Sequence, residues 1–291
     1  MNVGICLIMT DYDFDVIELA RKVEALGFES LWAPEHGVIP VEFNTELPSS
    51  KEQGVPTIYQ HGNINQIADP FVWLGAVAAA TDKITLGTGI CLVPERDPIH
   101  TAKQVATVDR LSQGRFVFGI GAGWLKGESQ VFGVDFPRRW SQTRDYVLAM
   151  KNLWGNEVSQ YQGEFVSFPP LVCNPKPLQQ PHPPILIAGE MENVAARIVE
   201  YADGWIPRVR HTSVYADPAK LEQARRGMEA LFRERGRDPD NFSITAWDAP
   251  PDRERNRRYF DAGVRRVVHI VITGDQASAL AQLEQLATAV L

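Results

Sequence analysis

The order of elements along the chain predicts an α/β fold of the closed (β/α)8 barrel type. Three observations carry this. Short, nearly continuous apolar runs recur through the 291 residues, as strands buried on both faces of a parallel sheet require. A helical pattern follows each of the eight runs, and eight strand–helix units are what a closed barrel needs. The competing doubly wound sheet would carry a GxGxxG turn after its first strand, and this chain has none there. Residues 1–291 are therefore expected to form one domain, a barrel of about 250 residues with insertions.

The first strand is Val3 to Met9, followed by a helix from Asp13 to Leu26 with apolar residues at helical spacing and Gly27 as its stop. Strand two, Ser30 to Pro34, leads into an aperiodic segment, Val38 to Asp69. A helix from Pro70 to Thr81 follows, with Asp69 as N-cap and proline in its first position. Strand three is Ile84 to Leu92, its helix Ile99 to Leu111, and strand four Phe116 to Gly121.

After strand four comes a second insertion, Trp140 to Pro184. It holds a helix (Thr143 to Leu153), a hairpin (Val158 to Phe168) and the proline-rich run Pro169 to Pro184. The alternation then resumes with strand Ile185 to Ala188, helix Val194 to Ala202, strand Gly204 to Pro207 and helix Pro218 to Arg235. Strand Phe242 to Ala246, helix Arg253 to Ala262, strand Arg266 to Ile272 and helix Gln276 to Val290 complete the eight. Both insertions follow strands, so both are expected over the C-terminal face of the barrel, where barrel active sites lie.

Composition removes several classes of function. A net charge of −7 without any long basic block argues against nucleic-acid binding. No apolar run is long enough to span a bilayer, and the first nine residues lack a signal-peptide pattern, so a cytoplasmic protein is expected. Cys6, Cys91 and Cys173 are isolated, which argues against a disulfide framework or a structural zinc site. No two of the six histidines have HxH or HExxH spacing. A metal-dependent isomerase or nuclease would have to draw on Glu35, His36 and His269, and no metal is expected.

Residues 84–123 read ITLGTGICLVPERDPIHTAKQVATVDRLSQGRFVFGIGAG, with Trp124 next. This resembles the luciferase-like monooxygenase superfamily, whose strand ending LGTGxxxxP leads to a helix AKQxATxDRLSxGRxxxGxGxGW. The segment PPILIAGEMENVAARIVEYADGWIP, residues 183–207, and SLWAPEH, residues 30–36, extend the resemblance over almost the whole chain. It implies a bacterial luciferase-like barrel with insertions after strands two and four, binding coenzyme F420 or FMN. EHGVIP after strand two and the WSQTRDYVLAMKNLW helix are more similar to the F420-dependent branch.

The expected function is accordingly an oxidoreductase that exchanges hydride between F420 and a small organic substrate. One alternative is an FMN-dependent monooxygenase that uses reduced flavin and O2, with a separate reductase. The other is a non-catalytic flavin-binding protein, since fold does not dictate function. The resemblance also implies a homodimer.

Site residues follow from position and from the resemblance. His36, at the end of strand two, is expected to be the acid or base beside the reactive carbon, with Glu35 and Trp124 in the substrate pocket. Trp124 stands where some deazaflavin-dependent sugar dehydrogenases carry a glutamate, which argues against sugar-phosphate oxidation. Gly89, Ile90 and Cys91, with Gly121, are expected against the cofactor ring, and Gly89–Ile90 or Ile90–Cys91 as a cis peptide. Gly189, Glu190 and Met191 would cradle a phosphate at a helix N-terminus, although Glu190 would repel it. Arg208 and Arg210 could clamp a carboxylate or the anionic cofactor tail. Phe43, Tyr59, Trp73, Trp140 and Phe165 would supply an apolar wall.

Overall fold

In the computed structural model, which describes residues 1–9, 14–41 and 66–291, the strands close into a parallel barrel. In chain order the elements are β1 (Val3–Met9), α1 (Val16–Leu26), β2 (Ser30–Ala33), α2 (Pro70–Ala80), β3 (Thr85–Thr88), β4 (Cys91–Leu92), α3 (Pro98–Leu111) and β5 (Phe116–Gly121). Then come α4 (Lys126–Val131), α5 (Arg139–Gly155), β6 (Ser159–Gln162), β7 (Ser167–Leu171), β8 (Ile185–Ala188), α6 (Met191–Tyr201) and β9 (Gly204–Ile206). The last are α7 (Pro218–Glu234), β10 (Ser243–Trp247), α8 (Arg253–Asp261), β11 (Arg266–Thr273) and α9 (Gln276–Val290).

The sheet runs β3-β2-β1-β11-β10-β9-β8-β5, and pairing of β3 with β5 closes the ring. Strand three is split. Its first half, β3, lies beside β2 and β5, and its second, β4, pairs with β5 alone, with a cis Gly89–Ile90 peptide between the halves. That bond is one of the two the sequence analysis named. The hairpin β6–β7 is antiparallel and stands outside the barrel.

Strand geometry sorts each run onto two faces, because successive side chains alternate. Ile5, Leu7, Leu31, Leu86, Phe116, Phe118, Ile185, Ile187, Ile244 and Val267 belong to the large core beneath the helices. Their alternates Cys6, Ile8, Trp32, Val117, Leu186, Ile206 and Val268 form a second cluster that fills the barrel. Glycine on this inner face makes room for the largest of them. A Cβ on Gly87 would lie 2.3 Å from the Trp32 ring, and one on Gly89 2.2 Å from Trp247.

Local chemistry sets the helix ends. Asp15 caps α1 by accepting from the Ile17 and Glu18 amides, two residues later than the sequence suggests, and Gly27 ends the helix at φ 92°. Asp69 and Asp97 cap α2 and α3, each followed by proline. Among the described residues no helix is long and apolar enough to cross a membrane.

One expectation about the insertions is corrected. The proline-rich run 169–184 does not overhang the C-terminal face but returns to the opposite end of the barrel. There the Asp109 carboxylate accepts from the Leu178 and Gln179 amides, Gln179 donates to the Phe116 carbonyl at the start of β5, and Asp203 receives the Ile185 amide. A parallel strand must begin at that end, so the chain that feeds β8 has to travel there. Of the first insertion, residues 42–65 lie outside the described residues, and Phe43 and Tyr59 with them.

Candidate active site

The C-terminal mouth of the barrel is floored by apolar groups. Ile90, Ala188, Trp247, Ile270 and Ile272 sit at the ends of their strands, half-buried, and join the inner cluster together with Ile67. The Trp247 indole meets Trp32 edge-on, with ring centroids 5.7 Å apart. Gly121 receives the Ile90 side chain, for a Cβ there would sit 2.0 Å from Ile90 Cδ1. Absence of side chains at Gly89 and Gly121 thus lets two larger residues shape the floor.

His36 leaves the end of β2 toward this mouth. Its Nδ1 lies 2.7 Å from Glu128 Oε2, and its side chain is 9% exposed against 1% for Glu128. Glu128 Oε1 accepts from the Gly37 amide at 2.7 Å and the Val38 amide at 3.3 Å. Two backbone donors orient the carboxylate, so its other oxygen meets a donating Nδ1–H and the lone pair is left on Nε2. Trp124 packs edge-on against the imidazole at 5.9 Å, which brings these two candidate residues together.

Glu35 is corrected. It points away from His36, as neighbours in extended chain do. One carboxylate oxygen accepts from the Leu92 amide at 2.6 Å, the other from Arg96, whose guanidinium also binds Asp69 and lies over the Phe71 ring. With both oxygens engaged, Glu35 ties β2 to β4 and lines, with Asp69, Glu95 and Arg96, a cavity whose lining does not include His36. Cys91 is corrected on the same ground. Its side chain lies in the outer core, where burial and then Glu35 push its thiol upward.

The start of α6 carries Gly189 at φ 144°, then Glu190 and Met191. Glu190 precedes the helix and Glu192 occupies its first turn, so two carboxylates already complement the positive helix end. That charge works against a phosphate cradle at Gly189, Glu190 and Met191. Cations stand opposite. Arg210 Nε is 2.8 Å from Asp248 Oδ2, whereas Arg208 is 3.9 Å from it and has a side chain 54% exposed. Burial raises Asp248 in spite of Arg210 and Arg208.

The aromatic wall is also corrected. Trp73 is buried in the outer core, Trp140 packs beneath Arg197 and Phe165 beneath Arg138. Sequence reasoning missed Glu128, Glu95 and Arg96, and among the floor residues Trp247, Ile270, Ile272 and Ile67. Glu128 lies on the six-residue α4, too short to show helical periodicity. Trp247 falls one residue past the expected end of its strand.

A closed parallel barrel with a buried His–carboxylate pair beside an apolar mouth has the layout of an α/β-barrel enzyme. The chain belongs to the luciferase-like monooxygenase family, whose model matches residues 14–251. It is 35% identical to an uncharacterized protein of Mycobacterium tuberculosis over 288 residues, covering 99% of this chain and 98% of the other. The oxygenase component of the flavin-dependent trigonelline monooxygenase of Acinetobacter baylyi is 31% identical over 184 residues, 62% of this chain and 44% of that one.

Among solved structures, the chain is similar in fold to an F420-dependent secondary alcohol dehydrogenase holding an F420–acetone adduct. The TM-score is 0.73, with 18% identity over 100% of this chain and 99% of that one. It is equally similar to the monooxygenase RslO1 from Streptomyces bottropensis, with a TM-score of 0.73 and 19% identity over 99% and 98% of the two chains. Members of the family are oxidoreductases and monooxygenases acting on small molecules.

Proposed function

We propose that this protein is a coenzyme F420-dependent oxidoreductase that exchanges a hydride with a small organic substrate, with His36 handling the accompanying proton. The observation that carries the reading is the buried His36–Glu128 pair at the strand ends, beside the apolar floor. Oxidation of an alcohol breaks a C–H bond, whose electron pair leaves as hydride, and an O–H bond, whose proton needs a base. His36 Nε2 is that base, and in the reverse direction the imidazolium returns the proton. Glu128 holds the ring in the tautomer that makes Nε2 available and stabilises the cation that forms.

The residues present fit the cofactor. The half-buried Ile90, Ala188, Trp247 and Ile270 offer a floor for a planar ring, and Gly89 and Gly121 leave the space that shapes it. Exposed Arg208 suits an anionic tail. Bound there, a deazaflavin supplies a carbon that accepts or returns hydride and does not readily activate oxygen. The chain's own part is to hold the substrate against the floor, exclude water with Trp124, and move the proton at His36.

The test is a fluorescence titration of the purified protein with F420 and with FMN, followed by F420 absorbance with a panel of secondary alcohols. Micromolar or tighter F420 binding and alcohol-dependent bleaching are expected. Tight FMN binding without any F420 response overturns the reading. A second reading has FMN reduced by a separate reductase and O2 as co-substrate. It draws on the 31% identity to the trigonelline monooxygenase component, and oxygen uptake with reduced FMN would favour it. A homodimer is part of the proposal, and light scattering on the purified chain tests it.

A further inference from the structure

Behind the His36–Glu128 pair lies a second carboxyl that the hydride-transfer reading does not use. Glu95 ends the short turn Val93–Glu95 after β4 and is 9% exposed. Its Oε1 accepts from the Ser129 hydroxyl at 2.7 Å, and Ser129 adjoins Glu128 on α4. Its Oε2 is buried without a hydrogen-bond partner. Gly123 permits this approach, since a Cβ there would lie 2.9 Å from Glu95 Oε1. The last glycine of the GIGAGW run thereby acquires a role: it brings a carboxyl against the residues that orient His36.

We propose that Glu95 is a positioning residue for His36, a neutral carboxylic acid packed behind Glu128 that keeps the extra negative charge out of the cluster and so keeps the proton of the pair on His36 Nδ1. A buried, unpartnered oxygen costs far more when charged than when neutral. The surroundings act in the same direction. Glu35 faces Glu95 from the chain after β2, and Glu128 acts on it from α4. Asp69, Asp97 and His100 share with it a cavity of about 480 Å3. Arg96, the neighbouring cation, is engaged by Glu35 and Asp69, and Arg139 of α5 donates to the Gly123 carbonyl.

Burial above all, with Glu128 and Glu35 adding to it, pushes Glu95 up to about 8, while the Ser129 hydroxyl pulls it down. Above that pH the new carboxylate places a second negative charge beside Glu128 and weakens the electrostatic bias that keeps the shared proton on Nδ1.

The inference rests on the proposed role of His36 for its meaning in turnover, but its test needs neither cofactor nor substrate. The ring nitrogens of His36 are followed by 15N NMR in the full-length protein from pH 5.5 to 9.5, with His36→Asn assigning the resonance. Expected is an inflection near pH 8 in the wild type. It is lost in Glu95→Gln and moved to higher pH in Ser129→Ala, which removes the donor that favours the carboxylate. A wild-type curve without that inflection, or an inflection that persists in Glu95→Gln, overturns the proposal. Should Glu95→Gln fail to fold, the direction of the Ser129→Ala shift decides. Failure to bind F420 leaves this result standing, and a missing inflection leaves the F420 reading standing.

Discussion

His36 Nδ1 and Glu128 Oε2 lie 2.7 Å apart although 92 positions separate the two residues along the chain. Each follows a different barrel strand, and they meet because β2 and β5 both end at the mouth. The carboxylate is itself fixed by the Gly37 and Val38 amides, so the segment that presents the histidine also orients its partner. Such mutual support makes the imidazole a preorganised proton acceptor.

Replacing Glu128 tests that arrangement directly. In Glu128→Gln the amide oxygen is drawn to the two backbone donors, and the NH2 then faces Nδ1, which pushes the ring proton to Nε2. A fall in kcat of roughly 100-fold or more is expected, with the fold retained, when turnover and thermal unfolding are measured together. An unchanged kcat would remove Glu128 from the site.

Arg208 separates cofactor binding from stability. Its side chain is mostly exposed and only 3.9 Å from Asp248, so Arg208→Ala should leave Tm within about 1 °C of the wild type. It should weaken binding of the anionic cofactor by about tenfold, and more at low salt, because a charge-assisted contact is lost. Isothermal titration at two ionic strengths checks both.

Arg96 behaves in the opposite way. Arg96→Ala leaves Glu35 buried without its counter-ion, at a cost of about 3–5 kcal/mol in urea unfolding. Replacing both residues, as in Arg96→Met with Glu35→Met, should recover much of that loss, since the pair then no longer has to be desolvated. A larger loss in the double variant than in the single one would refute a structural role for the pair.

Two buried groups give stability opposing pH dependences. His269 is 2% exposed, with Nδ1 2.9 Å from the Ala249 carbonyl and Nε2 3.0 Å from Asn256 Nδ2, and burial holds its pKa below the ordinary value. A lowered folded value means that its contribution is present above about 6.5 and is lost as pH falls. Glu95 has the reverse sign. Raised to about 8, it contributes fully below the ordinary carboxylate range and loses that contribution as pH rises through 8. Urea unfolding against pH should show a decline on the order of 3 kcal/mol between about pH 4.5 and 8 that Glu95→Gln flattens. His269→Gln should flatten the acid side.

The barrel was legible because its signals are local. Apolar runs bounded by aspartate caps, prolines and glycines place Val3–Met9, Phe116–Gly121, Ile185–Ala188 and Gln276–Val290 at the ends observed. Such features depend on neighbours in sequence and on the periods 2 and 3.6. The family motifs likewise lie in continuous stretches, and His36 could be singled out from its place after a strand.

The partners of these residues were not legible, because they depend on which strand ends lie side by side and which way each side chain turns. Glu35 and His36 are adjacent in sequence and engage different neighbours, one holding Arg96 and the other Glu128. The α4 turn has too few residues to register as a helix, so Glu128 and Ser129 carried no signal. Glu95 has an ordinary side chain in an ordinary sequence context. Only packing against Gly123, Ser129 and Glu128 turns it into a buried acid. The alternation of elements, and hence the barrel, is set by the residues in order, because hydrophobic period is written residue by residue. Tertiary structure alone raised the Glu95 carboxyl and paired His36 with Glu128, because desolvation and Coulomb interactions act through space.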